Sequence, residues 1–171
     1  MPSSRSPYSS GRTSPEKALE KLKHFCGYQE RSHSEVRQKL YALGLFKTEV
    51  EELVSRLIEE KYLNEERFAC MFVSAKSRIR GWGKQKIRHE LRQKGVSAFC
   101  ITKALNSLDE TEYVARFERV AHKKWAALRE EKNIFVRKNK WQQFLLQRGF
   151  EPAIIKSWSF PDEDETGTPA E

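Results

Sequence analysis

The 171-residue chain has no run of 18 or more apolar residues, so no segment is expected to span a bilayer. Its first residues are Ser, Pro and Arg without an apolar stretch, so no secretory signal is expected and the protein is expected in the cytoplasm. Only three cysteines occur, Cys26, Cys70 and Cys100, and none forms a CxxC pair. An odd, widely spaced set argues against a disulfide or metal framework, and each thiol is expected to pack as a small buried hydrophobe. The four histidines, His24, His33, His89 and His122, stand alone among charges and are expected on the surface rather than as ligands. Motifs for phosphate, dinucleotide, acyl-transfer and zinc chemistry are missing, and no nucleophile is paired with a base. Gly81-Trp82-Gly83 follows no strand and precedes no Gly-Lys-Ser/Thr, so it reads as a link between helices. Neither an alternating strand nor an Asn-Gly or Asp-Gly turn is found. These absences predict an all-α protein that is not an enzyme, holds no cofactor and takes no small-molecule substrate.

What the chain does hold is charge, and it is unevenly placed. Charged residues make up 33% and apolar residues 38%, with a formal net charge of +8. Residues 16–66 hold nine bases and eleven acids, whereas residues 72–94 hold eight bases and one acid. Residues 116–140 hold nine bases and three acids, and residues 161–171 hold five acids and no base. A basic stripe over the middle and last thirds suits an anionic partner, either nucleic acid or an acidic protein groove. A solvated, solubilising face is the plainer reading.

Residues 1–13 and 161–171 lack apolar periodicity and are expected to be disordered tails. Between them the punctuation is helical. Ser14-Pro15 reads as an N-cap and first helical position, and Asn64 and Ser97 as N-caps. Ser32 with Glu35, Thr48 with Glu51, and Asp109 with Glu112 have capping-box spacing. Apolar residues recur at helical intervals in Phe68, Phe72, Ala75 and Ile79, and in Tyr113, Phe117, Val120 and Trp125.

A pattern also repeats. Val36, Leu40, Gly44 and Val50 share their spacing with Ile87, Leu91, Gly95 and Ile101, and with Trp141, Leu145, Gly149 and Ile155. Each copy reads as a helix ended by glycine, a short link and a second helix, preceded by a further helix over roughly 15–27, 64–79 or 110–130. The prediction is an elongated, curved array of three tandem three-helix repeats, over residues 14–61, 62–108 and 109–160.

The densest basic feature runs from Lys76 to Lys94. With Ile79 and Ile87 pointing inward, a helix–link–helix corner is expected to present Arg78, Arg80, Lys84, Lys86, Arg88, Arg92 and Lys94 as a cationic ridge. Trp82 is expected to close that corner as a core aromatic, exposure for stacking being the other reading. Such a ridge suits phosphate contacts or an acidic protein surface equally.

The run Tyr62-Leu-Asn64-Glu-Glu-Arg67-Phe68-Ala69, then Phe72-Val73, Arg80-Gly81-Trp82-Gly83 and Ile87 through Val96, resembles the central signature of the RecX regulatory proteins. Ser34-Glu35 with Lys39-Leu40 and Gly44 resembles the family's first repeat, and Phe144 through Phe150 its third. The resemblance covers about residues 15–158. Glu65 stands where the family often has Asp, and Trp82 where a small or basic residue often separates the glycines. The resemblance implies binding along the groove of the RecA–single-stranded DNA filament, with DNA touched weakly or through the filament. It implies lowered ATPase, strand-exchange and co-protease activity in DNA repair, recombination and the SOS response. A helical protein that binds nucleic acid directly is the alternative. The tails fall outside the resemblance and are assigned no function; one idea is that the acidic tail shields the basic ridge. Deleting residues 161–171 should then tighten binding to single-stranded DNA or to the filament, measured by fluorescence anisotropy, and unchanged affinity would remove that idea.

Overall fold

The structure, a computed structural model, describes residues 12–161. Among these residues the order is α1 Pro15–Tyr28, α2 His33–Ala42, α3 Lys47–Glu59, α4 Glu65–Arg78, α5 Lys84–Gln93, α6 Ala98–Asn106, α7 Glu110–Ala127, α8 Ile134–Gln147 and α9 Pro152–Lys156, with no strand. The tail expectations for residues 1–11 and 162–171 lie outside the described residues. Arg12 and Thr13 are held in place. The Arg12 guanidinium lies 4.5 Å over the Phe46 ring and pairs with Glu49, and the Thr13 N–H donates to the Leu43 carbonyl at 3.1 Å.

Each repeat opens on a side-chain cap. Ser14 Oγ, Asn64 Oδ1 and Asp109 Oδ1 accept from the N–H three residues on, and so satisfy a donor the helix itself cannot reach. Ser32 and Glu35 form the expected capping box of α2, with Ser32 Oγ accepting from the Glu35 N–H and Glu35 Oε2 from the Ser32 N–H. The box expected at Thr48 and Glu51 is displaced. The helix starts two residues earlier, and Glu49 accepts from the Phe46 N–H at 2.8 Å. Glu51 is taken instead by Arg37, in two parallel bonds of 2.8 and 2.9 Å.

The repeated glycines end α2, α5 and α8. Gly44, Gly95 and Gly149 have φ of +83°, +74° and +87°, a left-handed conformation that costs another residue about 1–2 kcal/mol. In each case the next residue's N–H reaches back to the third-last helical carbonyl: Leu45 to Leu40, Val96 to Leu91 and Phe150 to Leu145. That residue is apolar and buried in all three, which completes the hydrophobic half of this helix ending.

The pattern positions Val36, Leu40, Val50, Ile87, Leu91, Ile101, Trp141, Leu145 and Ile155 are all buried. They belong to three separate cores, one within α1–α3, one within α4–α6 and one within α7–α9, with Leu108 packed against the second and third. The fold is thus a helical repeat array. Two expectations on individual residues are corrected. Ile79 is 81% exposed because α4 ends at Arg78, and its inner face is carried by Phe68, Ala69, Val73 and Ser77. His33 is half-buried with its Nε2 sealed from solvent, because the first turn of α2 faces the neighbouring repeat. Cys26 and Cys100 are buried in the first and second cores and Cys70 is half-buried; burial pushes the Cys26 thiol up to about 11.

The glycine ends give a graded prediction. A Cβ at Gly95 would meet open space, whereas one at Gly149 would stand 2.3 Å from Lys86 Cβ. Gly95→Ala should therefore lower stability by about 1–2 kcal/mol, the left-handed strain alone. Gly149→Ala should cost clearly more, as read from urea unfolding midpoints.

Candidate partner-binding cleft

Helix α5 has no side-chain cap, since its N-cap is Gly83. Its first donors are met by the third repeat. The Gly83 N–H donates to the Arg148 carbonyl at 2.9 Å, and the Gln85 N–H to the Gly149 carbonyl at 3.0 Å. The Lys84 N–H donates to Tyr113 Oη at 3.0 Å, and that hydroxyl donates in turn to Glu151 Oε2 at 2.5 Å. Burial first, and the Glu151 carboxylate second, push the Tyr113 pKa far up, so the phenol stays protonated and keeps donating. The C-terminal end of α8 thereby abuts the N-terminal end of α5, with opposite partial charges facing each other. Backbone approach this close requires glycine on both sides: a Cβ at Gly83 would lie 2.2 Å from the Gly149 carbonyl oxygen.

A cleft of about 440 Å³ opens beside this joint, between the end of α4 and the face of α7. Arg78 and Arg80 line one wall, and Arg116, Arg119, Lys123 and Lys124 the other. Arg148 closes an end, its NH1 donating to the Arg80 carbonyl at 2.6 Å. Apolar surface comes from Ile79, Val120 and Phe144. None of the residues lining the cleft is acidic. Glu112 stands nearby and pairs with Arg116 at 3.1 Å and with Arg78 at 3.4 Å.

The expected ridge is divided by the structure. Arg78 and Arg80 enter the cleft. Lys84 turns into the joint, 2.6 Å from Glu110 and 4.5 Å over the Tyr113 ring. Lys86 lies 4.6 Å over the Trp82 ring, which Lys76 also covers at 5.0 Å, and Trp82 itself is half-buried against the second core. Arg88 rests against Gln85 at 3.4 Å, and Arg92 is exposed. Lys94 joins the first and second repeats through Glu35 at 2.8 Å, and its carbonyl accepts from Ser34 Oγ at 2.8 Å. Burial works against the Glu35 charge, but Lys94 and the Ser32 N–H outweigh it and hold its carboxyl below the usual range. The end of α5 thus meets the start of α2, as the end of α8 meets the start of α5. Arg67 of α4 pairs with Glu30 across the same boundary.

Sequence reasoning located Arg78 and Arg80 but missed Arg116, Arg119, Lys123, Lys124 and Arg148 as their neighbours. The basic stretch 116–140 was the available signal, and it gave no register against α4. Among the described residues no group of three His, Cys, Asp or Glu side chains is placed to hold a metal ion, and no helix is long and apolar enough to cross a membrane.

Comparisons with known proteins place these repeats. The family model for the second three-helix domain of RecX matches residues 64–105, and that for the third matches residues 110–158. The regulatory protein RecX of Prosthecochloris aestuarii is 31% identical over 140 residues, covering 82% of this chain and 89% of the relative. That of Oceanobacillus iheyensis is 30% identical over 132 residues, and there the match covers 77% of this chain but only 48% of the relative. This chain therefore spans about half the length of that longer relative. The crystal structure of RecX from Lactobacillus salivarius superposes with a TM-score of 0.74 at 24% identity, covering 84% of this chain and 92% of that one.

The boundary between the first two repeats yields a pH prediction. Burial holds the His33 pKa below its ordinary value, so the folded protein favours the neutral ring. As pH falls below about 6.5, the unfolded chain takes up the proton first and stability drops. Urea midpoints should fall from pH 7.5 to 5.5, and His33→Gln should flatten that slope.

Proposed function

The chain belongs to the RecX family of regulatory proteins, and on that premise we propose that it regulates the RecA recombinase by docking on the RecA–single-stranded DNA filament. In this reading it lowers the filament's ATPase, strand-exchange and co-protease activities in the cytoplasm. The observation that carries the reading is the cleft between the second and third repeats, in which seven bases face one another with no acid among the lining residues. Like charges gathered this closely raise each other's energy, and an anionic partner relieves that repulsion. An array of repeats joined end to end also suits a partner that is itself a repeating filament.

Arg78, Arg80, Arg119 and Lys123 are the contacts proposed for the cleft. Lys84 and Lys94 are proposed to act by holding the repeats together. The first measurement is ATP hydrolysis by the cognate recombinase on single-stranded DNA, with this protein titrated well below the recombinase concentration. The rate should fall, since blocking few sites arrests a cooperative assembly. The triple variant Arg80→Glu, Arg119→Glu, Lys123→Glu should need at least about tenfold more protein for the same inhibition, one tenfold step being about 1.4 kcal/mol. Inhibition only at DNA-saturating concentrations, with steep salt dependence, would favour direct nucleic-acid binding.

A further inference from the structure

We propose that the inner corner of the cleft is a seat for a protein carboxylate, and that the acidic segment it receives carries an apolar side chain next to that carboxylate. The proposal rests on the filament reading and specifies what the cleft recognises there.

Arg116 is 9% exposed, yet its charge is incompletely met. NH1 pairs with Glu112, while Nε and NH2 are sealed from solvent without a hydrogen-bond partner. The Ser77 hydroxyl, 1% exposed and lining the same cleft, is also unpartnered. Buried donors left unmade are unfavourable, and more so on a charged group. The Nε–NH2 edge of a guanidinium is the edge that grips a planar oxyanion in two parallel bonds. In the proposed complex Arg116, which lines the cleft together with Ser77, turns this edge toward the bound carboxylate. One carboxylate already stands in this neighbourhood, since Glu112 Oε2 accepts from both Arg116 and Arg78.

The apolar lining decides between carboxylate and phosphate. Ile79 is 81% exposed on the cleft wall, with Val120 and Phe144 also lining the cleft. A phosphodiester offers nothing apolar to cover that isoleucine. A nucleobase stacks most firmly on a bare aromatic face. The Phe144 ring is engaged by Lys124 at 4.7 Å and Arg148 at 5.1 Å, and the nearby Trp82 ring by two lysines. Paired cationic and aliphatic surface instead matches an acidic peptide segment with a Leu, Ile, Val or Met beside its Asp or Glu.

Carbodiimide coupling tests this with the full chain bound to the RecA-coated filament. The reagent joins a lysine amine to a carboxylate in contact with it and leaves phosphodiesters untouched. Mass spectrometry should find Lys123 or Lys124 joined to an Asp or Glu of the recombinase that neighbours an apolar residue. Ile79→Asp, at a position outside all three cores, should weaken filament binding at least tenfold and leave affinity for bare single-stranded DNA unchanged. Co-sedimentation with the filament without such a cross-link overturns the proposal. So does an Ile79→Asp variant that binds the filament as well as the unsubstituted chain, or that loses bare DNA equally, the latter being the mark of a phosphate seat. Failure of the unsubstituted chain to co-sediment at all overturns the filament reading itself, and this inference with it.

Discussion

An α-helix begins with N–H groups that its own carbonyls cannot reach, and in α5 those groups are satisfied by another repeat. Gly83 and Gln85 donate to the carbonyls of Arg148 and Gly149, just past the end of α8, and Lys84 to Tyr113. Among the described residues most helix starts are closed from within by Ser, Asn or Asp, so their first donors need no other repeat. The start of α5 is closed only by docking. Its donors tie the folding of the second repeat's central helix to the presence of the third. The cleft depends on the same contact, because Arg148, one residue from the glycine joint, holds the Arg80 carbonyl and so fixes the path of the chain between α4 and α5.

That path brings together charges that are far apart in sequence. Arg78 and Arg80 come from the end of α4, where positive charge is favoured by the exposed carbonyls. Arg116, Arg119 and Lys123 follow one face of α7 at intervals of three and four. Neither row is unusual alone, since basic residues commonly coat a helix. Facing one another across a cleft whose described lining holds no acid, they make a concentrated field. Like charges facing one another repel, so the arrangement is poorly explained by folding alone.

The repeat was legible in the sequence because its marks are local. A glycine in a left-handed helix ending, an apolar residue after it and two apolar residues one turn apart recur at fixed spacing, and the structure places each of them as that spacing requires. Caps were legible for the same reason, but two of the three expected boxes are incomplete: Asp109 caps α7 while Glu112 turns to Arg116 and Arg78. Thr48 looks like an N-cap, but Arg37 draws Glu51 away and Glu49 serves the helix start. The failures concern contacts between repeats. Ile79 has helical periodicity but falls just past the helix end, and Lys84 and Lys94 look solvated in sequence yet each finds a carboxylate in a neighbouring repeat. His33 is covered for the same reason. Spacing encodes which face of a helix is buried; it does not encode which residues of another repeat arrive beside it.

The two boundaries differ in a way that bears on recognition. Between the second and third repeats the backbones touch, and an added methyl group on either glycine would collide with the other side. Between the first and second, the contacts pass through the side chains of Ser34, Glu35, Lys94, Arg67 and Glu30, and a methyl group on Gly95 would meet nothing. Backbone hydrogen bonds at close range admit few relative orientations, whereas partly exposed ion pairs tolerate many. The basic cleft lies at the stiff boundary, while the near-neutral stretch of residues 16–66 lies beyond the softer one. Charges held rigidly before a partner arrives lose little further freedom when it binds, and binding gains most where that loss is small. Under the proposed function the stiff half carries recognition by charge, and the softer boundary lets the first repeat adjust to a partner already engaged.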